Sequence, residues 1–250
     1  MAFSLNADVG EGYGCYEFGN DAALMPLITS ANIACGMHAG DPSVMARTVK
    51  LAKQHGLSVG AHPGFNDIWG FGRRRLEMAI DDIEHLVTYQ IGALRAIAAR
   101  EGVDVRYVKP HGALNNVAAD DLDVALAIGR SIRACGGGLA FVAIAGSAMV
   151  QAGQELNLET ISEAYGDRRY DAKGRLVPRR VANAMIKDPH EAAQQVRHLI
   201  QNNAVLSQDG HMVPVSVDTI CIHSDEPGCV DIARSIRDAL RELQVDLVAI

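Results

Sequence analysis

Five short segments each end an apolar run in a Gly-bearing turn that carries His, Asp, Glu or Lys: NADVGEGYG (6–14), ANIACGMHAGDP (31–42), GAHPGFND (60–67), VKPHGALNN (108–116) and ICIHSDEPG (220–228). Polar, titratable residues at the ends of several strands build one shared site, because loops leaving the carboxyl ends of parallel strands converge on one face. Asn6 and Asp8 lie two apart and so share a strand face, with Glu11 in the turn that follows. Two carboxylates and an amide can ligate a metal or act as base and positioner; alternatively Asp8 only caps the Gly-rich turn. His38, His62 and His111 each follow a strand candidate. Singly, each reads as a hydrogen-bonded structural histidine. Three at equivalent strand ends, with Asp8, can instead form an open divalent-metal site, or acid and base groups without a metal.

Lys109 precedes His111 by two residues in a turn constrained by Pro110 and Gly112. It can pair with a phosphate or carboxylate, act as a base if burial depresses its pKa, or be an ordinary surface lysine. Arg73, Arg74 and Arg75, with Arg168, Arg169, Arg179 and Arg180, supply guanidinium groups suited to carboxylates or phosphates, with no single one marked out. His223 and Asp225 close the last strand, and Asp225 doubles as N-cap for a helix opening at Glu226-Pro227. Cys35 reads as a small buried hydrophobe before it reads as a nucleophile. The chain has no GxxxxGKS/T loop, no GxSxG elbow and no HExxH, and GEGYG does not space its glycines as a dinucleotide fingerprint does.

Short apolar or β-branched runs predict strands at 3–9, 28–34, 57–61, 105–109, 139–144, 158–163 and 217–223. Asp41-Pro42 and Asp188-Pro189 open two helices, and Gly56 closes the first. Ile80, Ile83, Val87, Ile91, Leu94 and Ile97 stripe a helix over 77–100, and further helices are expected at 119–134 and 226–243. Alternating strands and amphipathic helices imply a parallel sheet buried on both faces, and polar turns after five strands favour a closed barrel over an open sheet. The aperiodic, Arg- and Gly-rich segment 164–187 is expected as a long loop over the barrel mouth.

With 250 residues and no linker composition, one domain over 1–250 is expected. A formal charge of −7 gives no attraction for nucleic acid or an anionic membrane, and 136–150, the most apolar stretch, is too short and glycine-rich to span a bilayer. The scattered cysteines read as reduced thiols, and a cytoplasmic protein is expected. Association between copies of the chain stays open.

LNADVGEGYG, ITSANIACGMHAGDP, GAHPGFNDIWGFGRR, QIGAL, VKPHGAL, the DRRY and LVPRR stretch and ICIHSDEPG together resemble, in order and over nearly the whole chain, the LamB/YcsF family of lactam-utilisation proteins. That resemblance implies an irregular seven-stranded parallel β/α barrel of the glycoside hydrolase/deacetylase type. It also implies ATP-dependent opening of 5-oxo-L-proline (pyroglutamate) to L-glutamate, with ATP as co-substrate and separate 5-oxoprolinase B and C subunits as partners. By looser analogy with deacetylases of the same barrel class, Asp8, His38 and His62 are implied ligands of a divalent metal. Opening an unstrained lactam needs an activated carbonyl and a deprotonated water, which points to Asp8, Lys109 and His111 as the catalytic set. Asn6, Glu11, Arg73, His223 and Asp225 are then the substrate-binding set. Three positions depart from the family pattern: Asn115, Ser224 and Gly166. Two other functions stay open, a metal-dependent deacetylase or amidohydrolase working without ATP and a non-catalytic subunit of a lactamase complex.

Overall fold

The computed structural model describes residues 2–250. Its strands are β1 (Ala2–Val9), β2 (Ser30–Ala34), β3 (Ser58–His62), β4 (Val105–Val108), β5 (Ala140–Ile144), β6 (Thr160–Tyr165), β7 (Ala204–Leu206), β8 (Met212–Pro214), β9 (Thr219–His223) and β10 (Asp246–Leu247). Six of them run in order from β1 to β6, β9 pairs with β6, and β9 pairs back to β1, so seven parallel strands close a barrel. Each of the seven coincides with a strand read from the sequence. The short β10 adds to the outer start of β1, and β7 and β8 form a separate antiparallel hairpin.

The helices are α1 (Asp21–Leu24), α2 (Pro42–Gln54), α3 (Ile80–Arg100), α4 (Gly112–Asp120), α5 (Leu122–Cys135), α6 (Ala148–Glu155), α7 (Pro189–Asn202) and α8 (Cys229–Glu242). Among the described residues no helix is long and apolar enough to cross a membrane. Asp41 and Asp188 cap α2 and α7 through their carboxylates, each followed by proline at the first helical position. Two helix expectations need correction. The single helix over 119–134 is a pair, because Asp121 leaves helical geometry and caps α5 while α4 starts directly after His111. The last helix opens at Cys229, because Gly228 sits in the left-handed region at φ 84°, so Asp225 is not its N-cap.

Strand pleating sorts the side chains. Leu5, Ala7 and Val9 of β1 turn outward and pack with Ile91, Leu94, Ile128 and Ile236 of the helical shell. Ser4, Asn6 and Asp8 turn inward, as do Asn32, Tyr107 and Thr219, so the barrel interior is polar where most such cores are apolar. A small apolar group, Tyr107, Ala140 and Val142, plugs its lower end. Gly60 makes room for that plug, since a Cβ there would lie 2.0 Å from the Tyr107 ring.

The turn after β1 is tied by the Gly10 N–H, which donates to Asp21 Oδ2 at 2.8 Å, while Asp21 Oδ1 is buried without a partner. Burial pushes the Asp21 carboxyl up to about 6. A folded-state pKa above the unfolded one means the contribution to stability is complete below about pH 4 and is lost as pH rises through about 6. Asp21→Asn keeps an acceptor for Gly10, so in urea denaturation it should stabilise the protein at pH 8 by on the order of 2 kcal/mol, a gain shrinking towards zero at pH 4.

Candidate active site

Strand register sets the floor of the site. Asp8 is level with Asn32 on β2 and with His223 on β9, and Ala34 of β2 is level with His62 at the end of β3. Lys109 follows β4 and is 1% exposed, which removes the surface-lysine alternative. Its Nζ donates to Asp8 Oδ1 and to Cys221 Sγ, both at 2.8 Å, and lies 3.1 Å from Glu163 Oε1. Burial opposes a charge on Lys109, but Asp8, Cys221 and Glu163 outweigh it and hold the ammonium well above the usual lysine range. Burial likewise works against ionised Asp8, and His62, Lys109 and His223 overcome it, so its carboxyl falls well below the usual range.

Beneath this pair an amide network fixes the geometry. Asn32 Nδ2 donates to Asn6 Oδ1 at 2.7 Å and to Asp8 Oδ1 at 2.8 Å, Asn6 Nδ2 donates to Glu163 Oε1 at 3.0 Å, and the Tyr107 hydroxyl donates to Asn32 Oδ1 at 2.7 Å. Asn6 therefore sits under the floor as a support, fully buried, rather than in the cavity.

A histidine cluster lies beside Asp8. His38 and His111 stack with ring centroids 3.7 Å apart, and His62 meets both edge-on. The Lys109 carbonyl, 2.7 Å from His62 Nδ1, can only accept, so Nδ1 carries the ring proton. By the same logic His111 Nε2–H donates to the Phe71 carbonyl at 2.8 Å. In their neutral forms His62 Nε2 and His111 Nδ1 thus face each other with lone pairs at 3.0 Å. Glu11 Oε1 lies 3.5 Å from His38 Nε2 and 3.6 Å from His111 Nδ1, and this oxygen and both His38 nitrogens are buried without a hydrogen-bond partner. Burial, then the charge of Asp8, pushes the Glu11 carboxyl well above the usual range, and a bound cation would relieve both that and the opposed lone pairs. Glu11, His38, His62 and His111 offer four ligand atoms within 4.8 Å of one another, a buried cluster that fits a divalent metal. Burial, reinforced by its histidine neighbours, keeps His38 and His111 well below the usual histidine range and so ready as neutral ligands. Asp8 Oδ2 borders this cluster at 3.3 Å from His62 Nε2. The second grouping, Asp8, Cys221 and His223, already holds the Lys109 ammonium against two of its members.

On the opposite side His223 Nδ1 bonds Asp167 Oδ2 at 2.9 Å, which also accepts from the His223 backbone N–H, and His223 Nε2 lies 4.0 Å from Asp8 Oδ2. Tyr165 stacks on the His223 ring at 5.4 Å. Arg73 and Asp225 pair with each other at 2.5 Å on the rim. With the helix starting later, Asp225 is free for this contact and for Arg179 at 3.8 Å.

These groups open into a cavity of about 990 Å³ whose floor includes Asp8, His62, Lys109, His111 and His223. Its outer wall comes from 168–180, part of the segment expected over the mouth. Asn32, Tyr107, Glu163, Asp167 and Cys221 were not singled out from the sequence. Asn32 and Glu163 did carry a signal, as polar side chains inside strands otherwise read as buried, whereas Asp167 lies in a segment without periodicity.

A profile of the LamB/YcsF family matches residues 3–250. The A subunit of 5-oxoprolinase from Rhodopseudomonas palustris (strain BisB5) is 50% identical over 243 residues, 97% of this chain and 96% of that protein. Its counterpart from Staphylococcus carnosus is 45% identical over 240 residues, 96% of this chain and 95% of that protein. The crystal structure of a lactam utilization protein from Thermus thermophilus superposes with a TM-score of 0.94 at 40% identity, covering 100% of both chains. A deacetylase, T48, solved with substrate, matches at TM-score 0.50 and 15% identity over 99% of this chain and 87% of its own, a likeness of fold alone. The barrel, its order of strands and a match along almost every residue place this chain in the LamB/YcsF family.

Proposed function

We propose that this chain is the A subunit of an ATP-dependent 5-oxoprolinase, in which it opens 5-oxo-L-proline to L-glutamate alongside B and C subunits while ATP is converted to ADP and phosphate. The observation that carries this reading is the end-to-end similarity, at 45–50% identity, to proteins named as the A subunit of 5-oxoprolinase.

The residues support a hydrolytic role. Asp8, held ionised beside the Lys109 ammonium, takes a proton from the attacking water as its oxygen bonds to the lactam carbonyl carbon. Lys109 balances the charge on that carboxylate and fixes its orientation. His223, its Nδ1–H held by Asp167 and its Nε2 4.0 Å from Asp8 Oδ2, takes that proton from Asp8 on Nε2 and passes it to the ring nitrogen as the C–N bond breaks. His111 lines the cavity and is held in one tautomer by Phe71. A divalent metal held by Glu11, His38, His62 and His111 would polarise a carbonyl or activate water. This chain carries no GxxxxGKS/T loop, so the phosphates of the ATP that activates the carbonyl are held by another device, in this chain or in B and C.

Glutamate release from 5-oxoproline is the direct test. With B and C present it should require both ATP and this chain, and the chain alone should release little. Brisk, metal-dependent and ATP-independent hydrolysis of amides or acetyl groups by the isolated chain would instead establish the deacetylase-like alternative.

A further inference from the structure

Among the described residues seven cationic side chains line the cavity, and one alone of these is both buried and without an acidic partner. Arg73 is held by Asp225, Arg179 lies 3.4 Å from Glu226 and 3.8 Å from Asp225, and Arg175 lies 3.3 Å from Asp120. Lys109 belongs to the floor, and Lys173 and Arg180 are exposed. Arg168 differs. It is 5% exposed, its Nε is buried without a hydrogen-bond partner, and no carboxylate among the described residues lies within ion-pair distance of it. Its hydrogen bond is from Nη2 to the Val177 carbonyl at 2.7 Å, which leaves the rest of the guanidinium fork uncommitted. Asp167, next in sequence, is taken by His223. A buried guanidinium without a counter-charge is costly, more so beside a second arginine, and burial together with Arg179 pulls its pKa down. The backbone that carries it is pinned, because Gln195 Nε2 donates to the carbonyls of Tyr165 and Arg168, both at 2.8 Å. A rigid wall with an unmet buried cation, opening on the same cavity as Asp8 and His223, is a built oxyanion seat.

We propose that Arg168, backed by Arg179, seats the carboxylate of the lactam substrate. The inference deepens the proposed function and rests on it for the identity of the ligand. A carboxylate fits better than a phosphoryl dianion, because Arg179 already shares its charge with Asp225 and Glu226, which leaves Arg168 as the single buried guanidinium free to meet an anion. The planar fork of Arg168 can grip two carboxylate oxygens at once and so fix the ring's orientation over Asp8. Arg73, put in the substrate-binding set after the family resemblance, is spent on Asp225 at the rim.

The test compares binding of 5-oxoproline, 2-pyrrolidinone (the same ring without the carboxylate), acetate and inorganic phosphate to the full-length wild type, Arg168→Gln and Arg168→Lys, by calorimetry, with saturation-transfer NMR for the weak ligands. Wild type should prefer 5-oxoproline over 2-pyrrolidinone by about tenfold or more, and Arg168→Gln should bring that preference close to unity while leaving 2-pyrrolidinone binding within about twofold. Arg168→Lys keeps the charge without the fork and should fall between. Equal weakening of both lactams would assign Arg168 a purely structural role and overturn the proposal. So would a preference that survives Arg168→Gln while phosphate binding is lost, which would make the seat a phosphoryl one. Should wild type bind neither lactam, the functional reading fails; acetate binding lost in Arg168→Gln would then still uphold a carboxylate seat, and acetate binding retained would overturn it.

Discussion

Asp8→Asn is expected to lower the turnover of the proposed 5-oxoprolinase assembly by about 10²-fold or more, while the variant still folds cooperatively. An asparagine at this position retains the shape of the side chain, and its amide oxygen can accept from Asn32 and Lys109 as Asp8 Oδ1 does now. What disappears is the negative charge and the ability to take a proton. Lys109 keeps one acidic neighbour, Glu163 at 3.1 Å, so the buried ammonium is not left alone and the fold should survive. If Asp8 were only a turn cap, asparagine would serve about equally well and turnover would stay within a few-fold. Steady-state kinetics of the complex separates the two outcomes, with the melting transition measured alongside. His55, exposed at the end of α2, provides the control, and His55→Ala should leave turnover unchanged. Near-normal turnover in Asp8→Asn would shift the proton-accepting role to the histidines.

The parts of this site that could be read from the sequence are those that follow from strand parity. Asn6 and Asp8 share a face because the pleat has a period of two, and His62, Lys109 and His223 reach one layer because each lies at or just past the end of a parallel strand. Contacts that depend on how loops fold back were not legible. His38 and His111 stack only because the loop after His62 packs over them, with Gly72 at φ 60° where a Cβ would fall 2.6 Å from His38. That close approach brings Glu11 into the cluster of His38, His62 and His111, where the sequence reading had put Asp8 beside the three histidines. Arg168 could not be separated from its arginine neighbours, because the distinction lies in which of them finds a carboxylate, and those partners come from three different stretches of chain. The break between α4 and α5 escaped for a more local reason, since AADDLD reads as continuous helix until Asp121 is seen capping.

The protein purified without chelator should carry a first-row transition metal at about one equivalent per chain, the stoichiometry of a single four-ligand cluster. Three imidazoles and one carboxylate suit zinc or a similar borderline ion better than calcium or magnesium, which favour all-oxygen shells. The expectation stands on lone pairs rather than on analogy. Neutral His62 and His111 would oppose lone pairs at 3.0 Å, which a cation relieves, and Glu11 Oε1 and His38 Nε2, 3.5 Å apart, are two more polar atoms buried and unpaired at the same point. Removing one ligand leaves three, so His38→Ala should lower metal content severalfold in elemental analysis of freshly purified protein. Glu11→Gln should lower it too, because an amide oxygen is neutral and a weaker ligand than a carboxylate. Ligand loss also changes stability: chelation should lower the melting temperature of wild type, as expected when an ion bound only by the native state is withdrawn, and should have much less effect on His38→Ala. A shared proton between His62 and His111 is the competing account of the same geometry. It predicts a wild type free of metal even after dialysis against zinc, and a melting temperature that chelators do not move. Finding both would remove the metal and leave the cluster as a proton-sharing histidine pair beside Asp8.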